Sequence, residues 1–179
     1  MVESSAAFAG QPDGYERLWT PHRMAYVDGD ARPRGDSAED CPFCLAVAKP
    51  DEEALIVARG QSVYAIMNLF PYNPGHLLVC PYRHVSALTD LTAAEAGELM
   101  EFARQGIAAL TRSKHPGGFN LGINQGAVAG AGIAAHLHQH IVPRWPGDSN
   151  FFPVVARSRA LPELLADTRQ ALASAWEEA

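Results

Sequence analysis

Residues 136–142 read His-Leu-His-Gln-His-Ile-Val. The apolar, β-branched end of this stretch favours a strand over residues 135–143. Because side chains alternate between the two faces of a strand, we expect His136, His138 and His140 to point the same way. Each imidazole carries two nitrogens that need partners, so such a row is costly inside a core. Taken alone, the row also suits solvated surface histidines or a zinc site with His-x-His spacing.

A loop of small residues lies just before the histidines. Residues 126–132 read Gly-Ala-Val-Ala-Gly-Ala-Gly, with Gly130 and Gly132 near the end of the loop. Small side chains allow backbone N–H groups to approach a phosphate closely. A neutral imidazole can attack phosphorus when an acceptor on its other nitrogen fixes the tautomer. The loop and the histidine row together therefore indicate a nucleophile beside an anion-binding cradle.

The remaining pattern predicts an α+β fold built around a mostly antiparallel sheet. Thr92 and Glu95 form a candidate capping box, and apolar residues then recur at helical spacing, so we expect a long helix over about 92–113. A second helix is expected over about 161–177, with one apolar face formed by Leu164, Leu165, Thr168 and Leu172. The predicted strands cover residues 54–58, 62–69, 76–81, 119–124 and 135–143, and the first two form a hairpin around residues 59–60.

The composition favours one globular domain in a reducing compartment. The chain has 179 residues, of which 47% are apolar, and this excludes a disordered protein. The net charge of −6 and the lack of any run of Lys or Arg argue against nucleic acid as a partner. We find neither a long apolar stretch nor a basic segment ahead of one, so no membrane span and no signal peptide are expected. Only three cysteines occur, and together these features predict a cytoplasmic protein.

The histidine row resembles the motif of the histidine triad (HIT) family, in which three histidines alternate with apolar residues, although Gln139 departs from that pattern. Residues 68–81, Asn-Leu-Phe-Pro-Tyr-Asn-Pro-Gly-His-Leu-Leu-Val-Cys-Pro, also match a family segment, as does Asn124-Gln-Gly. Residues 145–152 and 17–24 more narrowly resemble the actinobacterial diadenosine tetraphosphate phosphorylases within the family. The resemblance therefore extends well beyond the motif.

The resemblance implies both a fold and a reaction. The fold would be a five-stranded antiparallel sheet with one long helix and a C-terminal helix. The family domain would cover residues 41–155, preceded by an arm and loop over 1–40 and followed by the helix over 156–179. The reaction would be nucleotidyl transfer that cleaves dinucleoside polyphosphates, with phosphate or water as the acceptor and magnesium able to accompany the substrate. Family members pair through the long helix and the adjoining strand, which implies a homodimer or a larger homo-oligomer.

Two alternatives to this reaction remain open. Another branch of the family hydrolyses nucleoside phosphoramidates, and substrate profiling would separate the two enzymes. A rival from a different class is a non-catalytic nucleotide-binding protein. The intact His138 argues against that rival, because a binding protein needs no nucleophile.

The resemblance also implies catalytic roles for the matching histidines. His138 would attack the α-phosphate and carry the nucleotidyl group. His140 would stabilise the charge that develops on that phosphate, with help from backbone amides at Gly130 and Gly132. His76 would orient the triad by hydrogen bonding.

Polar and aromatic residues near the histidines have two readings each. The resemblance implies that Asn68 contacts the ribose and that Asn124 contacts the phosphates or the leaving group. Asparagine at a strand end is equally expected from turn chemistry. Arg144 could meet a polyphosphate, but an exposed arginine is the commoner explanation. Trp145 could form a wall of a base pocket, but a core or dimer contact is favoured.

Cys41-Pro-Phe-Cys44 has the spacing of a zinc knuckle, but two thiolates cannot complete a tetrahedral site. In the zinc-bearing branch of the family, the positions that match His84 and His136 supply the other ligands. The resemblance thus implies one structural zinc per chain, with His136 shared between the metal site and the catalytic triad. A redox dithiol and a pair of free cysteines are the alternatives. Cys80 is expected to be an ordinary core residue.

Overall fold

The computed structural model describes residues 35–148 and 163–177. Within them, five strands form one antiparallel sheet in the order β1-β2-β3-β5-β4. The strands are β1 (Ile56–Arg59), β2 (Val63–Met67), β3 (Leu77–Pro81), β4 (Gly118–Ile123) and β5 (Gln139–Arg144). The helices are α1 (Pro42–Val47), α2 (Asp51–Ala54), α3 (Ala93–Lys114) and α4 (Leu165–Glu177). The expected α+β fold and its five-stranded antiparallel sheet are confirmed.

The alternation of side chains along β2 separates two cores. Val63, Ala65 and Met67 face a large core that includes residues of α3 and α4. Tyr64 and Ile66 face a smaller core that includes residues of α1. Every residue of β2 is buried, because the sheet is covered on both faces at this strand. The small core places α1, Cys41 and Cys44 beside the end of β3.

The start of the long helix is fixed by the predicted capping box. The Glu95 N–H donates to Thr92 Oγ1 at 3.2 Å, and the Glu95 carboxylate accepts the Thr92 N–H at 2.7 Å. These reciprocal bonds satisfy two of the N–H groups that a helix start leaves without partners. The helix ends at His115, whose φ of 48° lies in the left-handed region. The prediction of a helix over residues 92–113 is therefore confirmed to within a residue.

Some predicted boundaries are wrong. The strand expected over residues 135–143 begins only at Gln139, because Leu137 donates its N–H to Val85 O and does not join the sheet. The helix expected from about residue 161 begins at Leu165, so Leu164 precedes its first turn and is 72% exposed instead of buried. Helices α1 and α2 were not expected, since six and four residues are too short to show a helical period.

Several predictions fall outside the described residues. They concern the N-terminal arm and the tract between β5 and α4, that is, residues 1–34 and 149–162. Within the part of the chain that is described, no helix is long and apolar enough to cross a bilayer.

Candidate active site and metal centre

The three histidines of the row lie where the loop before β5 enters the sheet. His140 lies on β5 opposite Gly122, whereas His136 and His138 precede the strand, so strand alternation does not set their directions. The rings of His138 and His140 meet edge to face, with centroids 5.0 Å apart. Phe43 of α1 packs on His136 and His138, with ring centroids 5.4 and 5.1 Å away. The row therefore supplies one pair of adjacent imidazoles, those of His138 and His140. The ring of His136 contacts other residues.

The tautomer of His138 follows from one hydrogen bond. Its Nδ1 lies 2.8 Å from the carbonyl oxygen of His136. Because a carbonyl can only accept, Nδ1 carries the proton and Nε2 keeps its lone pair. Burial lowers the pKa of His138, so the ring is neutral near pH 7. A neutral imidazole with a fixed lone pair on Nε2 is a suitable nucleophile.

A relay through His76 fixes the opposite tautomer at His140. The Tyr72 N–H donates to His76 Nδ1 at 3.0 Å, so His76 carries its proton on Nε2. That Nε2 lies 2.9 Å from His140 Nδ1, which therefore accepts. The proton of His140 is left on Nε2, an atom that is buried and has no partner among the described residues. Burial lowers the pKa of His140 to about 4, so it acts as a neutral N–H donor.

Asn68 lies beside the relay. Its Nδ2 is 3.3 Å from His76 Nδ1, and its Oδ1 accepts the Phe70 N–H at 3.0 Å. These contacts support the turn between β2 and β3. Gly75, with a φ of +81°, completes this turn, and a Cβ there would lie 2.8 Å from Leu110 Cδ2. The turn thereby places His76 in contact with His140. A ribose contact for Asn68 stays a prediction.

A groove of about 330 Å³ contains His140 and runs along β4 and β5. By strand alternation it lies on the sheet face opposite α3, because Ile141 on the other face belongs to the large core. Gly130 and Gly132 are exposed in the loop before β5 and do not line it. The residues that line the groove are Tyr72, Asn73, Asn120, Leu121, Gly122, Asn124, His140, Val142 and Arg144.

The predicted metal ligands converge on one point. The ligand atoms of Cys41, Cys44, His84 and His136 all lie within 4.8 Å of one another. The sulfur–nitrogen distances are 3.3 Å for Cys41 and His136, 3.4 Å for Cys44 and His84, and 3.5 Å for Cys44 and His136. A tetrahedral ion with Zn–S near 2.3 Å and Zn–N near 2.1 Å requires about 3.5 Å between such atoms. The four side chains can therefore hold a metal ion.

The tautomer of His136 also suits a metal. His136 Nε2 lies 2.9 Å from Pro81 O and must donate to it, so the lone pair on Nδ1 faces the two sulfurs. Burial, and then the neighbouring Cys41, raise the pKa of Cys44 to about 11. A redox dithiol needs a lowered thiol pKa, so this environment argues against that alternative. Cys80 lies in β3 and is fully buried, as expected.

Sequence reasoning missed two contributors to the site. Phe43 packs on two of the histidine rings, and the Tyr72 backbone N–H fixes the His76 tautomer. Arg144 is 45% exposed, as expected, and it also lines the groove. Tyr72 lies in the segment that matches the family, four residues before His76, but a backbone donor leaves no signature in a sequence. Trp145 donates from its indole to Lys114 O at 3.3 Å, which fits a packing role.

Comparison with known proteins identifies related chains. The HIT domain family profile matches residues 49–147. The AP-4-A phosphorylase of Mycobacterium tuberculosis H37Rv is 48% identical over 170 residues, which cover 93% of this chain and 87% of the relative. The bifunctional bis(5'-adenosyl)-triphosphatase/adenylylsulfatase FHIT of Arabidopsis thaliana is 41% identical over 85 residues, 48% of this chain and 47% of the relative. A Zn-bound histidine triad family protein from Mycobacterium smegmatis superposes with a TM-score of 0.65 and 26% identity, covering 79% of this chain and 96% of that one.

Proposed function

The chain belongs to the HIT domain family, and from that premise we propose that it is an enzyme that cleaves dinucleoside polyphosphates through a covalent nucleotidyl-histidine. One observation carries the proposal. The rings of His138 and His140 pack edge to face and hold opposite tautomers, so one ring keeps a lone pair on Nε2 while its neighbour carries an N–H there. A phosphate group bound between them meets a nucleophile and a hydrogen-bond donor at once.

The proposed reaction has two steps. In the first, His138 Nε2 forms a bond to the α-phosphorus, and the bond from that phosphorus to the bridging oxygen breaks. The leaving nucleotide takes the electron pair with it, while His140 Nε2–H donates to a non-bridging oxygen. In the second step an acceptor oxygen attacks the same phosphorus and releases His138. Both histidines keep the tautomers that their neighbours impose.

The acceptor in the second step is proposed to be inorganic phosphate. The support is the 48% identity with a protein named AP-4-A phosphorylase over 93% of this chain. We expect diadenosine tetraphosphate to give ADP and ATP only when phosphate is present, as measured by chromatography of the products. Potassium chloride of equal ionic strength replaces phosphate in the control. AMP and ATP without phosphate would instead identify a hydrolase, and no turnover in either sample would contradict the proposal.

The metal held by the cysteine and histidine cluster is proposed to be zinc, one ion per chain. Two thiolates and two imidazoles form the donor set that zinc prefers in closed structural sites. The structural neighbour from Mycobacterium smegmatis is described as Zn-bound, which supports the same metal. In this role zinc supplies no catalytic chemistry. It fixes His136, whose carbonyl oxygen in turn holds His138.

The enzyme is proposed to form a homodimer through β4 and α3. Strand β4 lies at the edge of the sheet, and the neighbouring Met100 and Leu121 are 61% and 44% exposed. An unpaired edge beside an apolar surface suits pairing with a second copy. Light scattering should give twice the chain mass of 19.3 kDa, and Leu121→Arg should give that of one chain. Val128→Arg, in an exposed loop, should keep the dimer, and a monomeric unmodified protein would contradict the proposal.

A further inference from the structure

We propose that Arg144 determines substrate specificity by binding a phosphate that lies beyond the α-phosphate. The inference rests on the proposed function, because it assigns a contact to the polyphosphate chain of the same substrate. It starts from the groove that leads away from His140. The α-phosphate bound at His140 Nε2 would lie within this groove, and we infer that the chain attached to that phosphorus runs along it toward Arg144.

The groove ends at a positive charge. His140, Val142 and Arg144 point to the same face of β5, and four residues of antiparallel strand span about 13 Å. Arg144 is the only charged residue among those that line the groove. Asn120 lies between His140 and Arg144, opposite Val142, whereas Asn124 lies past His140 at the other end of the groove. From His140 to Arg144 the groove therefore offers a neutral amide followed by a cation, and a polyphosphate chain that runs along β5 from His140 would meet them in this order.

Neighbouring side chains hold the Arg144 guanidinium in place. Its Nε and Nη2 donate to the two carboxylate oxygens of Asp148 at 2.6 and 2.8 Å, and its Nη1 donates to Asn120 Oδ1 at 2.8 Å. Asp148 also accepts from Asn73 Nδ2 at 2.8 Å and from the Trp145 N–H at 3.2 Å. An arginine fixed in this way loses little freedom when it binds an anion.

The ion pair presents its arginine side to the ligand. The Arg144 side chain is 45% exposed, whereas that of Asp148 is only 10% exposed. Of the five guanidinium N–H groups, the bonds to Asp148 and Asn120 use three, and one remains on each Nη. These two N–H groups belong to the planar fork of the guanidinium and remain available to donate to phosphate oxygens. Because Arg144 lies four residues after His140 in β5, its guanidinium is placed to bind a distal phosphate and not the phosphate under attack.

Steady-state kinetics with two substrates tests the contact. Diadenosine tetraphosphate carries distal phosphates, whereas the p-nitrophenyl ester of AMP carries only the α-phosphate. For Arg144→Gln we expect kcat/KM to fall by about 10- to 100-fold with the first substrate, mainly through KM, and by less than about 2-fold with the second. Arg144→Lys should lie between, since it keeps the charge and loses the fork. Arg59→Gln removes an arginine that also binds an aspartate but lies in β1, and it should change neither value.

Further measurements separate this contact from a structural role. Arg144→Gln combined with Asp148→Asn replaces the ion pair by two amides, and it should show the same selective loss without leaving a carboxylate unpaired. An equal loss with both substrates, or no loss with diadenosine tetraphosphate, would overturn the inference. Calorimetric affinities for AMP and ATP need no turnover, and Arg144→Gln should weaken only ATP binding. If the unmodified protein cleaves no dinucleoside polyphosphate, the proposed function fails, and the AMP–ATP comparison still decides the role of Arg144.

Discussion

Replacement of His138 by alanine is expected to lower the turnover of diadenosine tetraphosphate by about 10⁴-fold or more, while nucleotide affinity changes by only a few-fold. The reason is that no other described histidine of the site can take over the attack. The Nε2 of His140 carries a proton, and the Nδ1 lone pair of His136 faces the sulfurs of Cys41 and Cys44. Binding should survive, because Nε2 of His138 forms its bond to phosphorus only in the reaction. Single-turnover kinetics and calorimetry with the same nucleotide measure the two effects.

His140→Ala is the matched comparison for this variant. It removes a donor and keeps the nucleophile, so turnover should fall by about 10²- to 10³-fold, as is typical for the loss of one oxyanion-stabilising group. A substrate with a radioactive α-phosphate should label His140→Ala but not His138→Ala after acid-free denaturation. Residual turnover of His138→Ala within tenfold of the unmodified enzyme, or persistent labelling, would refute the nucleophile assignment. Unchanged melting temperatures would show that both variants remain folded.

Local patterns predicted the parts of the fold that local interactions determine. The capping box of Thr92 and Glu95 starts α3, and both of its bonds join residues three apart. The hairpin of β1 and β2 is likewise a short-range pairing. Alternating or periodic apolar residues predicted these elements to within one or two residues, because the same burial that creates the pattern also stabilises the element.

Contacts between segments that are far apart in the sequence determine the features that the sequence pattern did not predict. His136 and His138 look like strand residues, but His136 binds Pro81 O and faces Cys41, which is 95 residues away. These contacts draw the chain out of the sheet until Gln139. The tautomer of His140 depends on His76 and the Tyr72 N–H, and a backbone donor has no sequence signature. The resemblance to a family identified the residues of the site, whereas their protonation states required the geometry.

Gln139 is the position at which the histidine row departs from the family pattern. Its side chain is 6% exposed, and its Oε1 has no hydrogen-bond partner among the described residues. Nothing in the described structure explains this buried amide. An apolar residue at the same position would remove the unpaired oxygen.

Removal of the metal site is expected to affect both stability and activity. Cys41→Ser should reduce the zinc content from one ion per chain to less than about a tenth, because a hydroxyl is a poor ligand for this ion. The free energy of unfolding should fall by more than about 4 kcal/mol, since binding energy at a structural metal site is folding energy. Turnover should fall as well, because the proposed zinc would fix His136, whose carbonyl oxygen holds His138. Metal analysis, denaturant unfolding and kinetics measure the three effects.

Cys80→Ala provides the matched control, because it removes a cysteine that is fully buried in β3 but lies outside the four-residue cluster. Loss of its small side chain should lower stability by about 1–2 kcal/mol and leave the zinc content unchanged. In the unmodified protein a chelator should reproduce the effects of Cys41→Ser. Added zinc should reverse them, and this reversal would exclude irreversible misfolding as the cause. Full turnover after complete removal of zinc would contradict the link from the metal through His136 to the nucleophile, because the tautomer of His138 would then be held without it.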